Sequence, residues 1–203
     1  RYTPVEVMRT LRKASRHCYL LESASQSEAW GRYSFLGYHP KLSVSCKNGV
    51  VKVKENGMVR ILPGKPKEAL QSLLEQYRSP QIEGLPTFTG GLVGYFAYET
   101  IQYAEPKLHI KQSDVNDFEL MMFDKLLAFD QVMHKLCIIV NARTADGEAG
   151  YNKAVEEIDA FIETLRITEP IPYEKPQKAL EFTCNLSKEE YCSMVEKTKH
   201  YIK

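Results

Sequence analysis

Leu20-Leu21-Glu22-Ser23 sets a carboxylate and a hydroxyl at the end of an apolar run. Such a pair could hold the ammonium and the second polar end of a free amino acid. A carboxylate that closes a buried strand is costly to leave unpaired. Glu22 therefore calls for either a ligand ammonium or an ion pair, with Arg16 and Arg32 as candidates. Gly31-Arg32-Tyr33-Ser34-Phe35-Leu36-Gly37 follows closely. A third motif, Thr89-Gly90-Gly91-Leu92-Val93-Gly94-Tyr95-Phe96-Ala97-Tyr98-Glu99, has the glycine content of a phosphate loop. It is neither Gly-x-Gly-x-x-Gly nor a P-loop, because no Lys-Ser/Thr follows its last glycine. It reads instead as a glycine-rich strand that another backbone or a ligand approaches closely.

No catalytic constellation is legible in the 203 residues. His17, His39, His109, His134 and His200 are isolated, and none belongs to a His-x-x-x-His or His-Glu-x-x-His pattern. They read as surface or turn residues. No Gly-x-Ser-x-Gly elbow is present, and Ser34 reads as a strand residue with a locally paired hydroxyl. Tyr95, Tyr98 and Tyr103, with Phe88 and Phe96, read as core whose hydroxyls reach the surface. The five cysteines are scattered, with no Cys-x-x-Cys pair and no histidine at ligand spacing, which points to a reducing cytosol and against structural zinc.

These residues need a scaffold, and the pattern supplies one. Thr3, Pro4 and Glu6 make a capping box ahead of a helix whose apolar side is Val5, Met8 and Leu11. Cys18–Leu21 and Tyr33–Gly37 are strand candidates. Residues 41–62 alternate as a β-meander with turns at Asn48-Gly49 and Asn56-Gly57, and Val59 and Ile61 are expected to continue its apolar face. Pro66–Arg78 is an amphipathic helix. Strands are expected at Met121–Phe129 and Lys135–Val140, the second buried on both faces, and a helix at Gly150–Arg166. A Pro-rich connector, a short strand and a helix capped by Ser187 and Glu190 complete the chain. This order predicts an α+β fold, a mainly antiparallel sheet flanked by helices.

A net charge of +1 gives no electrostatic case for nucleic acid or a membrane surface. No apolar segment approaches the roughly 20 residues of a membrane span. The start at Arg1 and the end at Lys203, inside a helical pattern, make the chain read as part of something longer.

Together the three motifs resemble the N-terminal region of anthranilate synthase component I, in the chorismate-utilising enzyme family. Phe182–Lys203 resembles the opening of that family's chorismate-binding region. Glu99 stands where the family usually has Asp. The resemblance implies residues 1–168 as an N-terminal regulatory domain, 169–180 as connector and 181–203 as the start of the chorismate-binding domain. It implies a cytoplasmic lyase that converts chorismate and ammonia to anthranilate and pyruvate with Mg²⁺. A glutamine amidotransferase subunit would supply the ammonia, and L-tryptophan would inhibit at Leu21, Glu22 and Ser23. Leu20 and Leu21 would offer the indole an apolar wall. The family's Pro-Tyr-Met segment and its chorismate and Mg²⁺ residues would lie beyond Lys203, so this portion alone would be inactive.

Three other readings stand beside it: the related aminodeoxychorismate synthase component I, a stand-alone amino-acid-sensing module, and a structural α+β module with Glu22 in a plain salt bridge. A portion that normally packs on a larger domain should expose an apolar patch. Self-association of the isolated chain is then expected.

Overall fold

Thr3 opens the first helix, α1 (Pro4–Ala14): its hydroxyl accepts from the Glu6 backbone N–H at 3.3 Å, and Glu6 accepts from the Thr3 N–H at 3.0 Å. Residues Val7 and Leu11, one turn apart, are its fully buried positions, whereas Val5 is exposed. The computed structural model describes residues 2–22, 31–108, 110–111, 113–166 and 182–202. The chain divides into two units, Arg1–Glu169 and Pro170–Lys203.

In the first unit, β3 (Leu42–Lys47), β4 (Val50–Glu55) and β5 (Met58–Leu62) form the meander. Asn48 and Gly49 sit at φ 50° and 78°, the positive pair that a two-residue type I′ turn requires. β7 (Phe118–Phe123) joins β3, and β6 (Gly91–Phe96) joins β7, which gives the order β5-β4-β3-β7-β6. Val44, Cys46, Val51, Val53, Phe118 and Leu120 form its dry face, against Ala69 and Leu73 of α2 (Pro66–Glu75). Val59 and Ile61 do not continue that face. The turn sets Lys54 opposite Val59 and Lys52 opposite Ile61, so both apolar residues emerge on the solvated lysine side. They are 60% and 65% exposed. A one-residue change of parity decides the face of every residue in a strand.

A second sheet has the order β1-β2-β8-β9, from β1 (Cys18–Leu21), β2 (Tyr33–Tyr38), β8 (Lys125–Asp130) and β9 (Lys135–Val140). Every pairing in both sheets is antiparallel. Leu36, Tyr38, Leu127 and Phe129 meet Val7 and Leu11 of α1 and Phe161 and Leu165 of α3 (Gly147–Arg166) in one buried cluster.

The single strand expected over Met121–Phe129 is two. Asp124 breaks it: its carbonyl accepts from the Asn141 N–H at 2.7 Å and its carboxylate pairs with Lys41 at 3.1 Å. The chain there leaves one sheet and enters the other. Nor is Leu136–Val140 buried on both faces. β9 is an outer strand, with Leu136 and Ile138 against the helices and its remaining apolar residues half-buried. The Pro-rich connector lies outside the described residues.

In the second unit, Ser187 and Glu190 cap α4 (Lys188–Ile202) reciprocally, at 2.8 and 3.2 Å. No strand occurs over the described residues 182–186. Tyr191, Met194, Val195 and Ile202 fall at helical spacing and are exposed.

Candidate functional site

Among the described residues β1 has one neighbour, β2, and its other edge carries no paired strand. Along it side chains alternate. Cys18 and Leu20 turn toward the helix-backed cluster, and Tyr19 and Leu21 toward the opposite face. Of the two leucines expected to form an apolar wall, Leu20 is thus committed to the core. Leu21, 48% exposed, is the one available to a ligand.

Register carries Leu21 to the second motif. It lies opposite Phe35 of β2. The Phe35 ring meets Phe88 edge-on at 5.4 Å and Tyr33 at 5.8 Å. One residue pair further in, Tyr19 packs edge-on to Phe123 at 4.7 Å, beside Gly37. A Cβ at Gly37 would collide with the Tyr19 ring, which is why a glycine closes the second motif. The Tyr19 hydroxyl is buried with no partner among the described residues, and burial raises its pKa well above the usual phenol range. The strands of the first two motifs, with Phe88 just ahead of the third and Phe123 of β7, thus build one aromatic face at the sheet edge.

Glu22 follows directly and is exposed. The electrostatic pressure for a partner disappears with that exposure, because water solvates the carboxylate. Among the described residues it forms no ion pair. Arg32, a candidate partner, instead grips Asp130. Its Nη2 donates to Oδ2 at 2.6 Å and its Nε to both oxygens at 3.1 Å, while the guanidinium lies 5.0 Å from the centre of the Tyr33 ring. This pair fixes the start of β2 against the end of β8. Ser23 lies outside the described residues. Ser34 is paired across the sheet rather than locally, accepting from Gln131 Nε2 at 3.1 Å.

The Arg32 guanidinium holds the Asp130 carboxyl down to about 2, helped by the Met133 and Val132 N–H groups, against an ordinary 3.8. A depressed carboxylate stabilises the fold above its unfolded value and stops doing so as pH falls through its folded one. That contribution is therefore whole above pH 3.8 and lost toward pH 2. Arg32→Gln is expected to move the Asp130 titration up toward 3.8, with acid unfolding starting at higher pH. Carbon-detected NMR titration of the Asp130 carboxyl checks this; an unmoved midpoint would refute the assignment.

A second polar cluster looks more like chemistry than it is. Tyr103 donates its hydroxyl to Asp117 Oδ2 at 2.6 Å, the Gly49 N–H donates to the same oxygen at 3.3 Å, and the Cys46 thiol at 3.5 Å. Burial, then the Asp117 carboxylate, push the Cys46 thiol up to about 11. A fully buried thiol that stays protonated is no nucleophile. The cluster ties the β3–β4 turn to the start of β7 and the Tyr98–Tyr103 3₁₀ helix.

Nor are the aromatics around that helix core. Tyr95, Phe96 and Tyr98 are exposed, and Phe96 and Tyr103 line a groove of about 1070 Å³ against Leu70 and Leu74 of α2. His17, His39, His134 and His200 are exposed. No three His, Cys, Asp or Glu among the described residues could hold a metal ion. No described helix is long and apolar enough to cross a membrane.

Residues 16–203 match the family described as chorismate binding enzyme. The chain belongs to that family. Among members of the chorismate-binding family, it is 32% identical over 212 residues to anthranilate synthase component 1 of Acetivibrio thermocellus, covering 99% of this chain and 43% of that protein. It is 33% identical over 201 residues to the protein of that name from Neisseria meningitidis serogroup C, covering 95% and 41%. The chain therefore spans about two-fifths of these relatives' length. The crystal structure of anthranilate synthase component I from Streptococcus pneumoniae TIGR4 shares the fold, at a TM-score of 0.59 and 22% identity, over 88% of this chain and 40% of that one.

The strands of the edge site could be found from sequence, since the first two motifs name them. The Arg32–Asp130 pair was missed. Its one signal is an aspartate that ends an apolar strand just before a polar turn, where it accepts from the Val132 and Met133 N–H groups.

Proposed function

We propose that this chain is the N-terminal, regulatory portion of an anthranilate synthase component I that acts in tryptophan biosynthesis. The intact cytoplasmic lyase converts chorismate and ammonia to anthranilate, pyruvate and water, with ammonia delivered by a glutamine amidotransferase subunit. Similarity to component 1 proteins along nearly the whole chain supports the family side of this reading. The reacting groups belong to the remaining part of the protein. Mg²⁺ is assigned there too, and no step here runs through it. On this reading the isolated chain is inactive, and its exposed apolar residues favour self-association.

One observation carries the regulatory side: Leu21, Phe35 and Phe88 form an apolar face at an open sheet edge, and Glu22 ends it with a solvated carboxylate. That arrangement suits an amino acid with a flat aromatic side chain. The ring covers Leu21 and Phe35, and Glu22 and Ser23 take the polar end. Bound tryptophan would inhibit by preferring one of two arrangements of the intact protein, in proportion to its differential affinity for them.

Losing one charge-assisted hydrogen bond costs about 1.5–3 kcal/mol, so Glu22→Gln is expected to raise the tryptophan concentration for half-inhibition of the intact enzyme at least about tenfold. The chorismate KM should not change. Unchanged tryptophan inhibition in the variant would sink the site, and product analysis giving aminodeoxychorismate would sink the assignment.

A further inference from the structure

Four segments distant in sequence surround a second cleft, of about 390 Å³, beside the crossover between the two sheets. Lys41 enters from the start of β3, Arg78 from beyond α2, Gly90 from the start of β6, and Arg143 from the segment after β9. Asp124, the crossover residue, contributes the single carboxylate among the described residues of the cleft, already paired with Lys41 at 3.1 Å. Three cations against one acid make a local excess of positive charge larger than the net charge of +1 on the whole chain.

Lys41 and Arg143 have contacts that hold them, whereas Arg78 is exposed and also borders the groove beside α2. Lys41 is fixed twice, through its ion pair and through its backbone N–H on the Met122 carbonyl at 2.8 Å. The Arg143 guanidinium lies over the Tyr77 ring at 6.0 Å. Asn141 braces the floor, its Nδ2 donating to the Thr89 carbonyl at 2.6 Å and to the Asp124 carbonyl at 3.1 Å. Neither arginine has a carboxylate partner among the described residues. A concave site lined by several cations focuses the field and favours an anion. Two guanidinium forks suit a ligand with several anionic oxygens, each fork taking a pair.

We propose that this cleft binds a compact dianion, a phosphate or a small dicarboxylate, between Arg78 and Arg143. Bound there, it would brace the crossover between the sheets. Its cations are not residues of the Leu21–Glu22 edge, although Phe123 borders both, and the proposal does not depend on the tryptophan reading.

Amide NMR titrations of the 203-residue chain with inorganic phosphate and with malonate, at ionic strength held constant with sodium chloride, test it. Saturable shifts confined to amides near Arg78, Gly90 and Arg143 are expected, at millimolar or tighter affinity. Arg78→Gln and Arg143→Gln should each weaken binding about tenfold, and Arg60→Gln, which removes a cation of β5 outside the cleft, should leave it unchanged. Saturation by phosphate alone would identify a phosphate ester as the ligand class, and by malonate alone a dicarboxylate. Saturation by both would support any compact dianion. Shifts that never saturate, or that Arg60→Gln weakens as much as Arg143→Gln, would overturn the site.

Discussion

Gly94→Ala is expected to destabilise the chain by about 3 kcal/mol, the upper end of what overpacking costs. In an ordinary strand the same change stabilises by about 0.5–1 kcal/mol, because alanine loses less backbone freedom on folding. The sign is reversed here by what faces the site. Gly94 lies opposite Leu120 across the β6–β7 ladder, and a Cβ would collide with the Glu119 carbonyl oxygen and stand 2.8 Å from the Leu120 Cα. Backbone atoms cannot rotate aside, so β6 must lift from β7. Urea unfolding followed by far-UV circular dichroism reads this as a lower midpoint. A neutral or stabilised variant would mean the two strands have room to part, and the close-approach account of the glycine motif would fall.

Phe161→Ala is expected to cost about 3–5 kcal/mol, the range for emptying a buried aromatic site. Phe161 is fully buried, and its ring lies 4.6 Å from that of Tyr38, so it is the residue that seats α3 on β2. Domains are stable by only about 5–15 kcal/mol, so the loss is about a fifth of the total or more. The same denaturant experiment measures it. A change under about 1 kcal/mol would show that α3 contributes little to the second sheet's core.

How far the sequence reaches depends on whether a feature is local. Asn48-Gly49 and Asn56-Gly57 announce their turns because positive φ is written into those residue types, and the capping boxes at Thr3 and Ser187 are equally self-contained. Val59 and Ile61 were legible as strand residues, but their face depends on the parity of a turn, which composition does not carry. Arg32 and Asp130 stand 98 positions apart, and only the β2–β8 pairing brings them together. The strand edge at Leu21 was readable. The exposure of Glu22, which removes the need to pair it, was not. Whether a carboxylate at a strand end is buried depends on what covers that end. The apolar run from Met121 to Phe129 concealed its break because Asp124-Lys125 interrupts it by only two residues, and the contacts that bend the chain there come from Lys41 and Asn141.

With Asp124 alone between β7 and β8, the two sheets have no slack between them. A strand cannot slide by a fraction of a residue, and a whole-residue slip would turn every buried side chain outward. Displacement at one sheet must therefore reach the other as a rotation of whole bodies about a one-residue crank. A push on the β1 edge, relayed through β2 to β8, would arrive at β7 and β3 as a change of angle, with each sheet's own hydrogen bonds left intact.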